Sequence, residues 1–129
     1  MQIGEAATAS GVSAKMIRHY EAIALLRPAD RRANTYRTYG AADVHRLRFI
    51  RRARDLGFSI ERIRKLLALW DDGDRASADV KEIALTHVAE IETKITELRA
   101  LAATLHHLAD ACHGGTRPDC PILDDLARA

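Results

Sequence analysis

The chain has 129 residues, of which 47% are apolar, 29% charged and 5% aromatic. This composition excludes a disordered or collagen-like polypeptide, and no apolar run approaches the roughly 20 residues of a membrane-spanning helix. The net charge of +2 conceals a division, because residues 1–65 hold 14 Lys/Arg against 6 Asp/Glu while residues 66–129 hold 6 against 12.

A basic half joined to an acidic half predicts one part that meets a polyanion and another with a different task. Chance clustering on solvated faces is the plainer alternative. The opening Met1-Gln2-Ile3-Gly4-Glu5 lacks the basic stretch and long apolar core of a signal peptide. A soluble cytoplasmic protein is therefore expected, with no membrane contact. Two cysteines cannot build a disulfide scaffold, and in a reducing compartment they are thiols.

Ile3 to Ala9 predicts a short helix ended at Ser10-Gly11. Ser13 caps a second helix through Lys15, Ile17, Tyr20 and Glu21. Two short helices about a glycine-containing turn form a helix-turn-helix pattern, which alone is weak because many helical proteins contain it. Pro28 ends any helix, and Thr35 to Tyr39 has strand-prone composition. The segment reads as a small hairpin or wing carrying Arg31, Arg32 and Arg37.

Ala41 to Leu56 predicts a helix with Val44, Leu47, Ile50 and Ala53 on its apolar face and five arginines over much of the rest. Gly57 stops it. Ser59 caps the next helix, whose apolar side carries Ile60, Ile63, Leu67 and Trp70. Asp71-Asp72-Gly73-Asp74 breaks the chain. The clearest periodicity follows: Ala84, Val88, Ile91, Ile95, Leu98, Ala102, Leu105 and Ala109 alternate spacings of four and three without a fault. That is the seam of a coiled coil over roughly four heptads. A helix from Ala78 to Ala111 would be ~50 Å long. An antiparallel or parallel homodimer buries its stripe most economically; the alternative is a helix packed along its own domain. Gly114-Gly115 then opens a loop, and Pro121 suits the first turn of a short helix with Asp119 as its cap.

Cys112 and Cys120 flank a seven-residue loop rich in Gly and Pro. This is not the short knuckle of a structural zinc site, and no second cysteine pair exists. Thiolates prefer soft ions, Cu(I) the commonest in biology, and a monovalent d10 ion is content with two of them. Zn(II) wants about four ligands. His113 is a candidate third ligand, although its position next to Cys112 makes joint binding awkward. Metal binding, a regulatory disulfide and inert buried thiols all stay open from spacing alone. Ser77 reads as the cap of the long helix, with Asp79 favourable in its first turn. In a dimer that helix start approaches the partner's Cys loop. There backbone N–H groups and Lys81 would favour an anionic two-thiolate complex; the plainer reading of Lys81 is an exposed helix lysine. No nucleophile, base and orienting group can be assembled, so no enzyme is expected.

Ile3-Gly4-Glu5-Ala6-Ala7, Lys15-Met16-Ile17-Arg18-His19-Tyr20-Glu21, Asn34-Thr35-Tyr36-Arg37-Thr38-Tyr39 and Leu56-Gly57-Phe58-Ser59-Ile60-Glu61 carry a likeness that runs nearly end to end. Through them the chain resembles the MerR family of transcriptional regulators. Within the family it looks most like the copper-efflux regulators, through Ser77-Ala78-Asp79-Val80-Lys81 and Cys112-x7-Cys120-Pro121-Ile122. The resemblance implies a mainly α fold: a winged helix-turn-helix DNA-binding domain, a long antiparallel coiled-coil dimerisation helix, and a short metal-binding loop and helix. The corresponding boundaries are 1–70, a linker 71–77, 78–111 and 112–129.

The resemblance further implies a homodimer on double-stranded promoter DNA that activates by distorting an over-long spacer for RNA polymerase. In this subgroup Cys112 and Cys120 would bind one monovalent ion, Cu(I), Ag(I) or Au(I). Divalent-ion sensors place a third Cys where this chain has Ser77. Lys15, Arg18, His19 and Tyr20 are candidate DNA contacts on the second helix, His19 replacing the family's usual aromatic. Arg18 would read a guanine edge or a phosphate. Arg31, Tyr36, Arg37 and Arg54 would neutralise backbone phosphates, and Tyr39 packs the wing. A Cu(I)-responsive activator of copper export or detoxification genes is the leading expectation; a gold- or silver-selective sensor on the same scaffold, or a thiol–disulfide regulator, are the alternatives.

Overall fold

The computed structural model describes residues 1–27, 30–31, 37–112, 115, 118 and 120–128, with 30, 31 and 37 as backbone. Six helices and one two-stranded ribbon follow in order: α1 Ile3–Ser10, α2 Ala14–Ala22, β1 Asp30–Arg31, β2 Arg37–Thr38, α3 Ala41–Asp55, α4 Ile60–Asp71, α5 Ser77–Ala111 and α6 Pro121–Leu126. The fold is mainly α, a helix-turn-helix unit followed by one long helix. The chain divides into two compact units, residues 1–81 and 82–129. No helix among the described residues is long and apolar enough to cross a membrane.

In the first unit, local chemistry sets the helix ends. α1 stops at Gly11, which adopts φ +75° and returns its N–H to the Ala7 carbonyl at 2.9 Å. That left-handed turn suits glycine because a Cβ would crowd the following carbonyl. Ser13 and Ser59 accept the N–H groups of Met16 and Arg62, each at 3.2 Å, and so cap α2 and α4. At α3 the reach is reversed, Asp43 accepting the Gly40 N–H at 2.8 Å. Gly57, at φ +87°, follows α3 as its sequence predicts.

Apolar positions three and four apart on these helices converge on one core. Ala6, Ile17, Leu26, Leu47, Ile50 and Ile63 are completely buried there, with Ile3, Ile23, Phe49 and Phe58 packed around them. Burial of the Ile and Leu side chains among them is worth about 1.5–3 kcal/mol each, which holds together four helices that are marginal alone. Trp70 departs from the expectation that it joins this face. It is half exposed and meets Phe49 edge-on, ring centroids 4.8 Å apart at 85°.

The long helix α5, which starts within the first unit's residues and supplies most of the second's, is built differently. Not one residue of the 35-residue α5 is buried. The seam residues Val88, Ile91, Ile95, Leu98 and Leu105 all stand exposed, Leu98 at 63%. Thr93, Thr96 and Thr104 satisfy their hydroxyls on carbonyls one turn back, at 3.1–3.2 Å. α5 begins at Ser77 itself, so Ser77 lies in the first turn and is not the residue before it. α6 likewise corrects an expectation: Cys120 is its cap residue and Pro121 its first, whereas Asp119 lies outside the described residues.

Candidate nucleic-acid interface and metal centre

α2 has two faces because its apolar positions are spaced three and four apart. Ile17, Tyr20 and Glu21 turn inward; Lys15, Arg18 and His19 are exposed on the other side. Two cations and an imidazole thus stand together on the outward face of a capped helix, a surface of the charge that phosphates attract. Tyr20 corrects the sequence expectation. It is 5% exposed and belongs to the core, with the His19 ring alongside it at 5.9 Å. Its aromatic ring orients α2 from beneath.

The ribbon pairs β1 with β2 antiparallel, Asp30 opposite Thr38 and Arg31 opposite Arg37. Two of the predicted phosphate-binding residues are thus placed in register on a two-stranded projection. Tyr36 lies outside the described residues. The base of the projection is fixed by Tyr39, 1% exposed, whose hydroxyl donates to the Glu21 carboxylate. Its main chain adds a second tie: the Tyr39 N–H donates to the Met1 carbonyl at 2.7 Å, and the Met1 nitrogen donates to the Tyr39 carbonyl at 2.8 Å. Tyr39 packs the wing, as its sequence position predicts.

Much of the arginine excess serves the fold, which the charge count alone did not reveal. Helix ends leave carbonyls without intrahelical partners, and a guanidinium with five donors can collect them. Arg48 donates from Nε and Nη2 to the Ala9 carbonyl at 3.1 and 2.8 Å. Arg64 donates to Ile23 O at 2.7 Å and Arg54 to Phe58 O at 3.1 Å. Arg46 donates from Nε to Leu25 O at 3.0 Å and from Nη1 to both Asp71 oxygens at 3.0 Å. Arg54 remains exposed, so its remaining N–H groups stay available beside the α3–α4 turn.

The two thiols are both half-buried. Cys112 directly follows α5, its N–H bonded to Ala109 O at 3.1 Å, and Cys120 caps α6, its carbonyl accepting from Asp124 at 2.9 Å. Helix ends therefore fix the backbone on both sides of the intervening loop; His113 falls outside the described residues. Among the described residues no group of three or more His, Cys, Asp or Glu gathers around a metal position. Thiolates are soft donors that suit soft metal ions. In the first unit, Ser77 and Lys81 line one open hollow with Gly73, Arg75 and Val80. That hollow carries a helix start and two cations, an environment that favours negative charge.

These features define a helix-turn-helix protein with a long C-terminal helix, and comparison with known proteins agrees. Residues 1–70 match the family model "MerR HTH family regulatory protein" and residues 44–108 match "MerR, DNA binding". The chain belongs to the MerR family of transcriptional regulators, which are DNA-binding proteins and not enzymes. It is 61% identical to heavy metal-dependent transcription regulator 2 of Rhizobium meliloti strain 1021, over 98% of this chain and 86% of that one. It is 42% identical to the transcriptional regulator CueR of Salmonella typhimurium strain LT2, over 98% and 92% of the two chains. Among solved structures, the regulator PbrR691 of Ralstonia metallidurans CH34 in complex with lead(II) superposes with a TM-score of 0.87. That match has 35% identity and covers 98% of this chain and 99% of the other.

Proposed function

We propose that the protein is a homodimeric, cytoplasmic Cu(I)-responsive regulator that binds double-stranded promoter DNA and activates copper efflux or detoxification genes. The observation that carries this reading is the two half-buried free thiols, Cys112 directly after α5 and Cys120 at the cap of α6. The heavy-metal-dependent and CueR relatives support metal response and the copper-efflux branch.

Cys112 and Cys120 would hold one ion per loop. Cu(I) held there would crosslink the two ends of the loop, and with two thiolates the site would carry a net charge of −1. Ser77 presents a hydroxyl where divalent-ion sensors of the family carry a third thiol, and Lys81 supplies positive charge. Joining Cys112 to Cys120 in this way would tie the end of α5 to the start of α6, and the response would reach the DNA-binding half as a change in how the duplex is bent and twisted. A promoter whose elements are misaligned is thereby presented to RNA polymerase, deformation energy serving as the readout. Two distinct sites, metal and DNA, are coupled, which is what allostery requires. Lys15, Arg18 and His19 on α2, with Arg31, Arg37 and Arg54 at the projection and the α3–α4 turn, hold the DNA.

The test is run-off transcription with reduced protein on the promoter beside its own gene, under buffered Cu(I), Ag(I), Au(I) and Zn(II), alongside competition with a Cu(I) chelator. Activation by the monovalent ions and silence with Zn(II) is expected. Activation by Ag(I) or Au(I) but not Cu(I) reassigns the metal, and activation that follows oxidation instead of metal replaces the reading with a thiol switch.

A further inference from the structure

The long helix carries more information than its apolar seam. On the heptad defined by Val88 and Ile91, the flanking positions next to the seam hold Leu85, Glu92, Arg99 and His106 on one side. On the other side they hold His87, Lys94, Leu101 and Leu108. Glu92 and Arg99 are exposed, and the whole seam between them is bare within the chain. Flanking charges set which partner and which orientation a coiled coil accepts.

Each arrangement of two copies makes a different set of neighbours. If the helices run parallel, each flank meets the opposite flank, and Lys94 of one copy sits beside Arg99 of the other, twice by symmetry. If they run antiparallel, like flanks meet. The eight seam residues then pair completely in one register: Ala84 with Ala109, Val88 with Leu105, Ile91 with Ala102 and Ile95 with Leu98. That register sets Glu92 of each copy beside Arg99 of the other. Sliding the helices by one heptad in either direction strips two seam residues from each copy of their partners. It also brings Glu92 against its own copy in one case and Arg99 against its own copy in the other. Opposite charges across such a contact stabilise and like charges destabilise by similar small amounts, here doubled by the two-fold axis.

We infer that Glu92 and Arg99 form a reciprocal ion pair between subunits that fixes both the antiparallel orientation and the register of α5 in the dimer. The inference rests on the homodimer proposed above and adds the residues that specify it. One consequence is that Lys81 of one copy falls level with Cys112 of the other, so the register also sets which end of each helix stands beside the thiol loop.

Charge reversal tests this on the full-length protein. E92R sets two guanidinium groups against each other at both symmetry-related contacts, and R99E sets two carboxylates there. Each variant alone is therefore expected to dimerise about tenfold more weakly by analytical ultracentrifugation. Mixed together, the two variants bring opposite charges together again at the contacts between them. Native mass spectrometry after exchange is expected to show heterodimer well above the statistical half. The E92R/R99E double variant is expected to recover wild-type dimerisation. A statistical mixture, or an R99E homodimer tighter than wild type as the parallel arrangement requires, overturns the inference while leaving the dimer standing. A wild-type chain that remains monomeric overturns the dimer and this inference together.

Discussion

The Tyr39 hydroxyl donates to the carboxylate of Glu21, and both residues are buried. Glu21 lies in the last turn of α2 and Tyr39 directly follows β2, so one hydrogen bond joins the helix that carries Arg18 to the strand that carries Arg37. A carboxylate taken out of water needs such donors, and losing one costs about 1.5–3 kcal/mol. Tyr39→Phe keeps the ring in the core and removes only the donor. Its urea midpoint is expected to fall by an amount matching that loss, with promoter affinity falling alongside. An unchanged midpoint would show that the bond contributes nothing to holding the wing.

Two turn residues are expected to respond in opposite directions. Gly11→Ala introduces a Cβ into a left-handed turn, where the Arg51 guanidinium already occupies the space a Cβ would take. Destabilisation of about 1–2 kcal/mol is expected in thermal unfolding. Ala24, at φ +61°, is the non-glycine residue that carries this strain among the described residues. Ala24→Gly is expected to raise the melting temperature slightly, by the equivalent of about 0.5–1 kcal/mol.

Arginines in the basic half are expected to separate by assay. Arg18→Ala will weaken promoter binding and reduce the slope of log affinity against log salt by about 1, with unfolding unaltered. Arg46→Ala releases the Leu25 carbonyl and the Asp71 carboxylate and is expected to lower stability first. Arg46 is partly exposed and Asp71 more so, so the cost stays near 1 kcal/mol. If Arg18→Ala left affinity untouched, α2 would lose its place as the reading helix.

For the thiols, Cys112→Ser and Cys120→Ser are each expected to abolish metal-dependent transcription while retaining promoter binding in a gel-shift assay. Loss of DNA binding in either variant would mark that sulfur as a structural element. Ser77→Cys adds a soft donor at the start of α5 and is expected to extend the response to divalent ions. A variant that still answers only monovalent ions would remove Ser77 from the discrimination.

The elements were legible in the sequence where one local rule decided them. Ser13 and Ser59 cap because a short hydroxyl before an apolar-periodic run has few other uses, and Gly11 and Gly57 follow their helices because only glycine adopts those turns cheaply. The seam of α5 announced itself through an unbroken repeat. Tyr20 was misjudged because an aromatic beside Arg18 in a DNA-facing motif reads as a contact, whereas the helical phase shared with Ile17 and Glu21 sends it inward. The carbonyl-clasping arginines were illegible for a different reason. A charge count carries no direction, and the acceptors on Ala9, Ile23 and Leu25 are remote in sequence from the arginines that reach them.

The bare stripe on α5 ties this half of the protein to its own abundance. In the homodimer proposed above, a rod about 50 Å long with this stripe gains its tertiary stabilisation from the second copy, so dilution acts on it as a denaturant would. Melting of the helical rod will shift upward as the protein is concentrated, whereas the N-terminal core, closed within one chain, will melt at a temperature indifferent to dose. A cell holding only a handful of copies therefore sets a floor on how tightly two strangers must grip before either can read a promoter.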